Sequence, residues 1–199
     1  MRTVLWDMDG TIADTEELHF LAWQQTMEKI GVEYPYAAFL ADFGKNNREI
    51  LRRELGENTP VERIVEVSRG KERIFRDLVR EHGVKLLPGI AYWLAELHQA
   101  DVKQVISSSG AMANIAALVA HLEIGDYFQA LMSGYGLPRG KPHPAIFLNS
   151  AAAVGVTPAH CIVVEDSLAG IESARRAGMA SIVVGKLATD DALRTLLHH

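Results

Sequence analysis

The chain opens on a short apolar run, Val4-Leu5-Trp6, that breaks off at Asp7-Met8-Asp9-Gly10-Thr11. A continuous apolar run of this length, closed by a glycine turn, predicts a strand buried on both faces. The period then changes to that of a helix. From about Glu16 to Ile30, with Gly31 as the stop, Leu18, Leu21, Ala22, Gln25 and Met27 fall on one side, and Trp23 broadens it. Tyr34-Pro35 interrupts the pattern, and a short helix over Ala37 to Ala41 leads into the polar loop Gly44-Lys45-Asn46-Asn47-Arg48. Ile50, Leu51 and Leu55 mark the next helix, which Gly56 stops. Thr59-Pro60 reads as an N-cap followed by proline at the first helical position. The helix it opens runs to about His82, with Ile64, Val67, Ile74, Phe75 and Leu78 on its buried side and Gly83 as its end. No strand pattern occurs between Glu16 and Gly83, which predicts an all-helical lobe inserted directly after the first strand.

Beyond Pro88-Gly89, helices and strands alternate. Ile90, Trp93, Leu94 and Leu97 mark a helix, and Val102 to Ile106 a strand that ends in Ser107-Ser108-Ser109-Gly110. Ile115, Leu118, Val119 and Leu122 define the next helix, and Phe128 to Met132 a further strand. The glycine- and proline-rich loop from Ser133 to Pro144 precedes a helix carrying Ile146, Phe147, Ala151 and Val154. Cys161 to Val164 is a strand ending in Glu165-Asp166-Ser167, followed by a small-residue helix with Gly170, Ile171, Ala174 and Ala177. Ser181 to Val184 is the last strand, and Asp190 to Leu197 a closing helix. Such alternation implies right-handed crossovers and an α/β fold. The expectation is a Rossmann-like parallel sheet core, 1–15 plus 84–199, with a small all-helical cap, 16–83, inserted into it.

Composition narrows the function by exclusion. The 199 residues suffice for one core and a small second lobe. A net charge of −5 leaves no basic footprint for nucleic acid or an anionic membrane surface. The lone Cys161 rules out an internal disulfide and fits a reducing cytoplasm; within its apolar run it reads as a small buried hydrophobe. No segment has the pattern of a signal peptide or the length of a membrane span. A cytoplasmic protein is therefore expected, and the small cap leaves room for a monomer. His198-His199 receive no function.

In doubly wound sheets, ligands bind outside the carboxyl ends of the strands. Four such places carry reactive groups here: Asp7 and Asp9, Ser107, the loop bearing Lys141, and Glu165-Asp166. Singly, these are a solvated turn, a serine cap, a surface lysine and an acidic N-cap. Their joint placement points to a site. The carboxylates are hard oxygen ligands suited to Mg²⁺; a calcium loop of the EF-hand type fits less well, because a strand precedes Asp7. Ser107 and the backbone N–H groups of its turn can bond phosphate oxygens, and Lys141 brings positive charge to a dianion. With cation and lysine shielding the repulsion, Asp7 can attack a phosphoryl group, while Asp9 trades a proton with the leaving group and then with water.

Asp7-Met8-Asp9-Gly10-Thr11, Ser107, Gly140-Lys141-Pro142-His143-Pro144 and Glu165-Asp166-Ser167-Leu168-Ala169-Gly170-Ile171 resemble, in order, the four motifs of the haloacid dehalogenase superfamily. The resemblance runs across nearly the whole chain. The inserted helices, with Asp14-Thr15-Glu16, His19-Phe20 and Ala22-Trp23, are similar to the cap of its beta-phosphoglucomutase-like subgroup. The resemblance implies that Asp7 is nucleophile and metal ligand, and that Asp9 is acid/base and binds metal through its backbone carbonyl. It further implies that Asp166, with Glu165, completes a Mg²⁺ site, and that Ser107, with Ser108 beside it, and Lys141 hold the phosphoryl group. The second aspartate, Asp9, points to phosphoryl transfer rather than dehalogenation.

On the cap, the resemblance implies substrate contacts from Lys45, Asn47 and Arg48. Asn47 falls where the mutase has an arginine, and Arg48 is displaced from it by one residue, about 100° around a helix. Lys45 offers a point charge rather than a fork. Phe43-Gly44-Lys45 followed by Asn47 is more similar to the related sugar-phosphate phosphatases. His19 either couples cap closure to Asp9 or packs on the helix surface beside Trp23, itself a cap-core residue or a sugar platform; Tyr135 and Arg139 order the Lys141 loop. The expected function is a Mg²⁺-dependent phosphatase for a small phosphorylated metabolite, a sugar phosphate, acting through an aspartyl-phosphate. The alternative is a sugar-phosphate mutase of the beta-phosphoglucomutase type. A phospho-acceptor signalling domain also sets acids at strand ends, but has no helical lobe after its first strand.

Overall fold

The computed structural model describes residues 3–43 and 45–185. β1 (Thr3–Trp6) is the centre of a five-stranded parallel sheet of order β3-β2-β1-β4-β5, with β2 Lys103–Ser108, β3 Ala130–Ser133, β4 Cys161–Glu165 and β5 Ala180–Val183. Trp6 aligns with Ile106 and with Val164, so the next positions on the three strands are Asp7, Ser107 and Glu165. In-register residues of parallel strands point to the same face. β2 runs two residues past its apolar stretch because β3 supplies partners, Met132 for Ser107 and Ser133 for Ser108.

Alternation along the strands separates two layers. Val4, Trp6, Ile106 and Val164 face α5 (Ile90–Gln99) and α6 (Met112–His121), where Ile90, Leu94, Ile115 and Leu118 are buried against them. Leu5, Val105 and Val163 face α7 (Ala145–Ala153) and α8 (Leu168–Arg176), through Ile146, Phe147, Ala151 and Ala174. Phe147 is fully buried and lies 5.1 Å from the Lys141 ammonium, so it joins the core to the site above it. Phe147→Ala should cost about 3–5 kcal/mol of stability by leaving a cavity. Chemical denaturation measures this, and a loss below about 1 kcal/mol would contradict the packing.

Between β1 and α5 come the helices of the inserted lobe: α1 (Glu16–Lys29), α2 (Tyr36–Asp42), α3 (Asn47–Leu55) and α4 (Val61–His82). Trp23, Met27, Phe39, Ile50, Leu51 and Ile64 form their own cluster. Leu18, Phe75 and Leu78 belong instead to the sheet's core and root the lobe on it. The α/β expectation with an inserted helical cap is met, with local corrections. Gln25 is exposed and Thr26 takes its buried place, because the Thr26 hydroxyl satisfies itself on the Ala22 carbonyl at 2.7 Å. Trp93 is 55% exposed. The Thr59 hydroxyl donates back to the Leu55 carbonyl, so Pro60 occupies the N-cap of α4. Asn46 caps α3, accepting from the Glu49 N–H at 3.0 Å, which puts Asn47 and Arg48 on a helical turn rather than in a loop. The closing helix over Asp190 to Leu197 lies outside the described residues. Among those described, no helix is long and apolar enough to cross a membrane.

Candidate active site

β1 and β4 deliver Asp7 and Glu165 to one end of the sheet, and Lys141 reaches them from the loop before α7. Its Nζ donates to Asp7 Oδ1 at 2.6 Å and to Glu165 Oε1. Asp7, Glu165 and Asp166 each offer an oxygen within 4.8 Å of the others. The chain makes room for this crowd with glycine. A Cβ at Gly10 (φ +82°) would strike the Asp166 carboxylate, and one at Gly170 the Glu165 carboxylate. Thr11 Oγ1 donates to Asp166 at 3.2 Å, and the N–H and hydroxyl of Ser167 donate to Glu165 at 2.8 and 2.9 Å.

This cluster holds three carboxylates and one ammonium. Burial above all, with Glu165, Asp166 and Asp9 adding to it, pushes the Asp7 carboxyl well above its usual range, although Lys141 pulls it down. Burial and then Glu165 raise Asp166 to about 7. Burial opposes the Lys141 charge, but Asp7 and Glu165 more than offset it and hold the ammonium above its ordinary value. The cluster has more negative charge than its own lysine can settle, and its donors are all hard oxygens. Both features fit a divalent cation such as Mg²⁺ held by Asp7, Glu165 and Asp166.

A sign follows for stability. A carboxyl raised on folding stabilises fully below its unfolded value near 3.8, and that contribution is lost as pH rises through about 7. Added Mg²⁺ should therefore raise the thermal midpoint more at pH 8 than at pH 5.5. Equal shifts at both, measured by calorimetry, would contradict this assignment.

Asp9 stands apart from the carboxylate cluster. Its Oδ1 accepts from Thr15 Oγ1 at 2.8 Å and lies 3.1 Å from His19 Nε2. Lys71 Nζ sits 2.9 Å from His19 Nδ1. An ammonium only donates, so Nδ1 accepts and the ring proton sits on Nε2, donated to Asp9. Burial acts to raise the Asp9 carboxyl, but His19, Thr15 and Lys71 together outweigh it and hold Asp9 below the ordinary range. His19 also stacks on Phe75, with ring centroids 4.0 Å apart. It joins cap and core and is not a free surface residue. Trp23 is 4% exposed and packs in the cap cluster.

The reading by residue pattern missed Lys71 and Glu72, both buried on α4. A signal was present: Lys71 lies four residues from Val67 and four from Phe75, a charge on an otherwise apolar stripe. Ser107 needs a correction. It is fully buried, and its hydroxyl donates to Ser150 Oγ on α7 at 2.8 Å, because β2 continues past it and keeps it inside the sheet. Ser108 lines the crevice instead, its Oγ accepting from the Gly110 N–H at 2.9 Å. The crevice between cap and core measures about 580 Å³, and Lys45, Asn47 and Arg48 all line it. Lys45 Nζ is held by Asp42 at 3.1 Å. Tyr135 links the Lys141 loop to the cap through Ser68, O to O 2.7 Å; Arg139 is exposed. Cys161 is buried, and burial pushes its thiol up, as suits a packing residue.

Comparison with known proteins agrees with this geometry. A family model for haloacid dehalogenase-like hydrolases matches residues 1–178. The beta-phosphoglucomutase of Bacillus subtilis (strain 168) is 34% identical over 198 residues, spanning 94% of this chain and 84% of that protein. The fructose-1-phosphate phosphatase YqaB of Escherichia coli (strain K12) is 30% identical over 183 residues, 91% of this chain and 95% of its own. The crystal structure of beta-phosphoglucomutase from Clostridium difficile superposes with a TM-score of 0.85 at 30% identity, covering 94% of this chain and 86% of that one.

Proposed function

Since this chain belongs to the haloacid dehalogenase-like hydrolases, we propose that it is a phosphatase for a small sugar phosphate, acting through a phosphorylated Asp7. The observation that carries the reading is the contrast between two aspartates two residues apart. Asp7 is gripped by Lys141 inside the carboxylate cluster, while Asp9 is turned to Thr15 and His19 and kept ionised. The contrast supports Asp7 as nucleophile and Asp9 as proton carrier. Asp9 takes up a proton from solvent as the phosphate dianion enters beside it; in the first step Asp7 bonds to phosphorus, and the departing sugar oxygen takes that proton from Asp9. In the second, Asp9 accepts a proton from water as the water oxygen displaces Asp7, which releases phosphate and restores both groups.

Lys141 holds Asp7 in place and offers its charge to the phosphoryl oxygens. Ser108, with the turn through Gly110, lines the wall beside them, and the Ser107 hydroxyl supports the floor from below. Mg²⁺ bound by Asp7, Asp166 and Glu165 would neutralise charge on the phosphoryl group. The lobe 16–83 acts as a cap over the core formed by 1–15 and 84–199, with His19 and Lys71 carrying its position to Asp9. A fructose-1-phosphate phosphatase among the relatives supports the substrate class; the beta-phosphoglucomutases support a second reading, return of the phosphoryl group to another sugar hydroxyl.

The deciding experiment measures phosphate release and product identity with Mg²⁺, on beta-glucose 1-phosphate and a panel of sugar and polyol phosphates, with and without glucose 1,6-bisphosphate. Free phosphate from a panel member is the expected result. Glucose 6-phosphate without free phosphate, formed only when the bisphosphate is present, would establish the mutase instead.

A further inference from the structure

We infer that Asn47 is a specificity residue that reads a hydroxyl group of the substrate, so that the crevice takes the monophosphate of a polyhydroxy compound in preference to a bisphosphate. This rests on the phosphatase reading of the site and goes on to name the substrate's far end. Asn47 lines the crevice from the first turn of α3. Its Nδ2 donates to Ser68 Oγ at 3.0 Å and to Glu72 Oε1 at 2.5 Å, which uses both amide hydrogens.

The amide cannot be the other way round. Burial opposes the Glu72 charge, but Lys71 first, then His19, Asn47 and Asn114, hold the carboxyl below its usual range. An ionised carboxylate only accepts, so nitrogen must face it. Glu72 is itself fixed: its second oxygen accepts from Asn114 Nδ2, and Asn114 Oδ1 accepts from Arg76 at 2.8 Å. Ser68 is tied on its far side to Tyr135.

Asn47 Oδ1 is thus the amide's remaining polar atom. It has no hydrogen bond among the described residues, and it is not one of the enclosed, unsatisfied atoms. It offers an acceptor. A phosphate dianion also offers only acceptors and would meet repulsion there, strengthened by the Glu72 charge behind the amide. A hydroxyl donates and fits. Of the nearby cap cations, Lys45 is held by Asp42, Arg52 by Glu57 and Lys71 by Glu72 and His19, while Arg48 is exposed beside the amide and is the group on which a second anion would have to settle.

The test compares sugar monophosphates, their matching bisphosphates and phenyl phosphate, which has no hydroxyl, in the wild type, Asn47→Leu and Glu72→Gln. The wild type should favour the best monophosphate over its bisphosphate by about tenfold or more in kcat/KM. Asn47→Leu should lose about tenfold toward that monophosphate, in KM, beyond any change toward phenyl phosphate. The side-chain amide introduced by Glu72→Gln can donate to Asn47 Oδ1 and let the Asn47 amide turn round, so this variant should narrow the mono- to bisphosphate ratio. A bisphosphate preferred by the wild type, or equal losses on phenyl and sugar phosphates in Asn47→Leu, would overturn the inference. Should no phosphomonoester be turned over, the phosphatase reading fails by itself. Calorimetric binding of the same monophosphates then decides: about tenfold weaker binding in Asn47→Leu upholds the hydroxyl contact, and equal affinity removes it.

Discussion

Asp7→Asn should lower kcat by at least about 10⁴-fold while the protein stays folded. The amide keeps the shape of the carboxylate and can still accept from Lys141, whose Nζ lies 2.6 Å from Asp7 Oδ1. It lacks the negative oxygen that the proposed first step requires for attack on phosphorus. Because burial and three neighbouring acids already push the Asp7 carboxyl upward, removing that charge relieves repulsion within the cluster. The thermal midpoint without metal should therefore hold or rise, and the gain on adding Mg²⁺ should shrink. Phosphate-release kinetics, calorimetry, and mass spectrometry of acid-quenched enzyme test the three parts. More than about 1% residual turnover, or a phosphorylated residue elsewhere in the wild type, would remove Asp7 from the role of nucleophile.

Lys141→Met should be damaging in two ways with opposite remedies. Its ammonium bridges Asp7 and Glu165 with its side chain only 5% exposed, and no other lysine or arginine is ion-paired to either among the described residues. Loss of a charge aimed at the phosphoryl group should cost about 10²–10³ in kcat, which Mg²⁺ does not restore. Breaking a buried ion pair from one side should cost about 3–5 kcal/mol of stability, because it leaves two carboxylates without their cation. That second loss has a definite sign with pH. The Asp7 carboxyl, already raised, rises further without the ammonium, so the variant is least stable at pH 8 and recovers as pH falls and Asp7 takes up a proton. Mg²⁺ should also recover stability at pH 8, and adding Asp7→Asn should recover part of it. A pH-independent destabilisation would show that Lys141 supports packing and not charge.

Much of the fold was legible along the chain. Val4 to Trp6 and Cys161 to Val164 are uninterrupted apolar runs, and the helices between them repeat every three to four residues; both are local signals. Strand ends are legible as site positions from the order of elements alone, since a parallel sheet collects its ligands there. The weak points were places where the periodicity is the same for two outcomes. Thr26 and Gln25 could each fill the inner side of α1, and the Thr26 bond to Ala22 decided between them. Ser107 and Ser108 both end an apolar run; alternation along β2 turned the first to Ser150 on α7 and the second to the crevice.

By itself, then, the amino-acid order determined the α/β class, the helical lobe after the first strand, and the set of acids and the lysine brought to one end of the sheet. Tertiary structure alone decided how these groups divide their hydrogen bonds. Lys141 meets Asp7 across 134 residues, Glu72 turns the Asn47 amide across 25, and Lys71 fixes the His19 tautomer across 52. Periodicity is a property of neighbours three or four positions apart. A shared proton or a shared carboxylate depends on distances between elements, which exist only once the cores beneath them have packed.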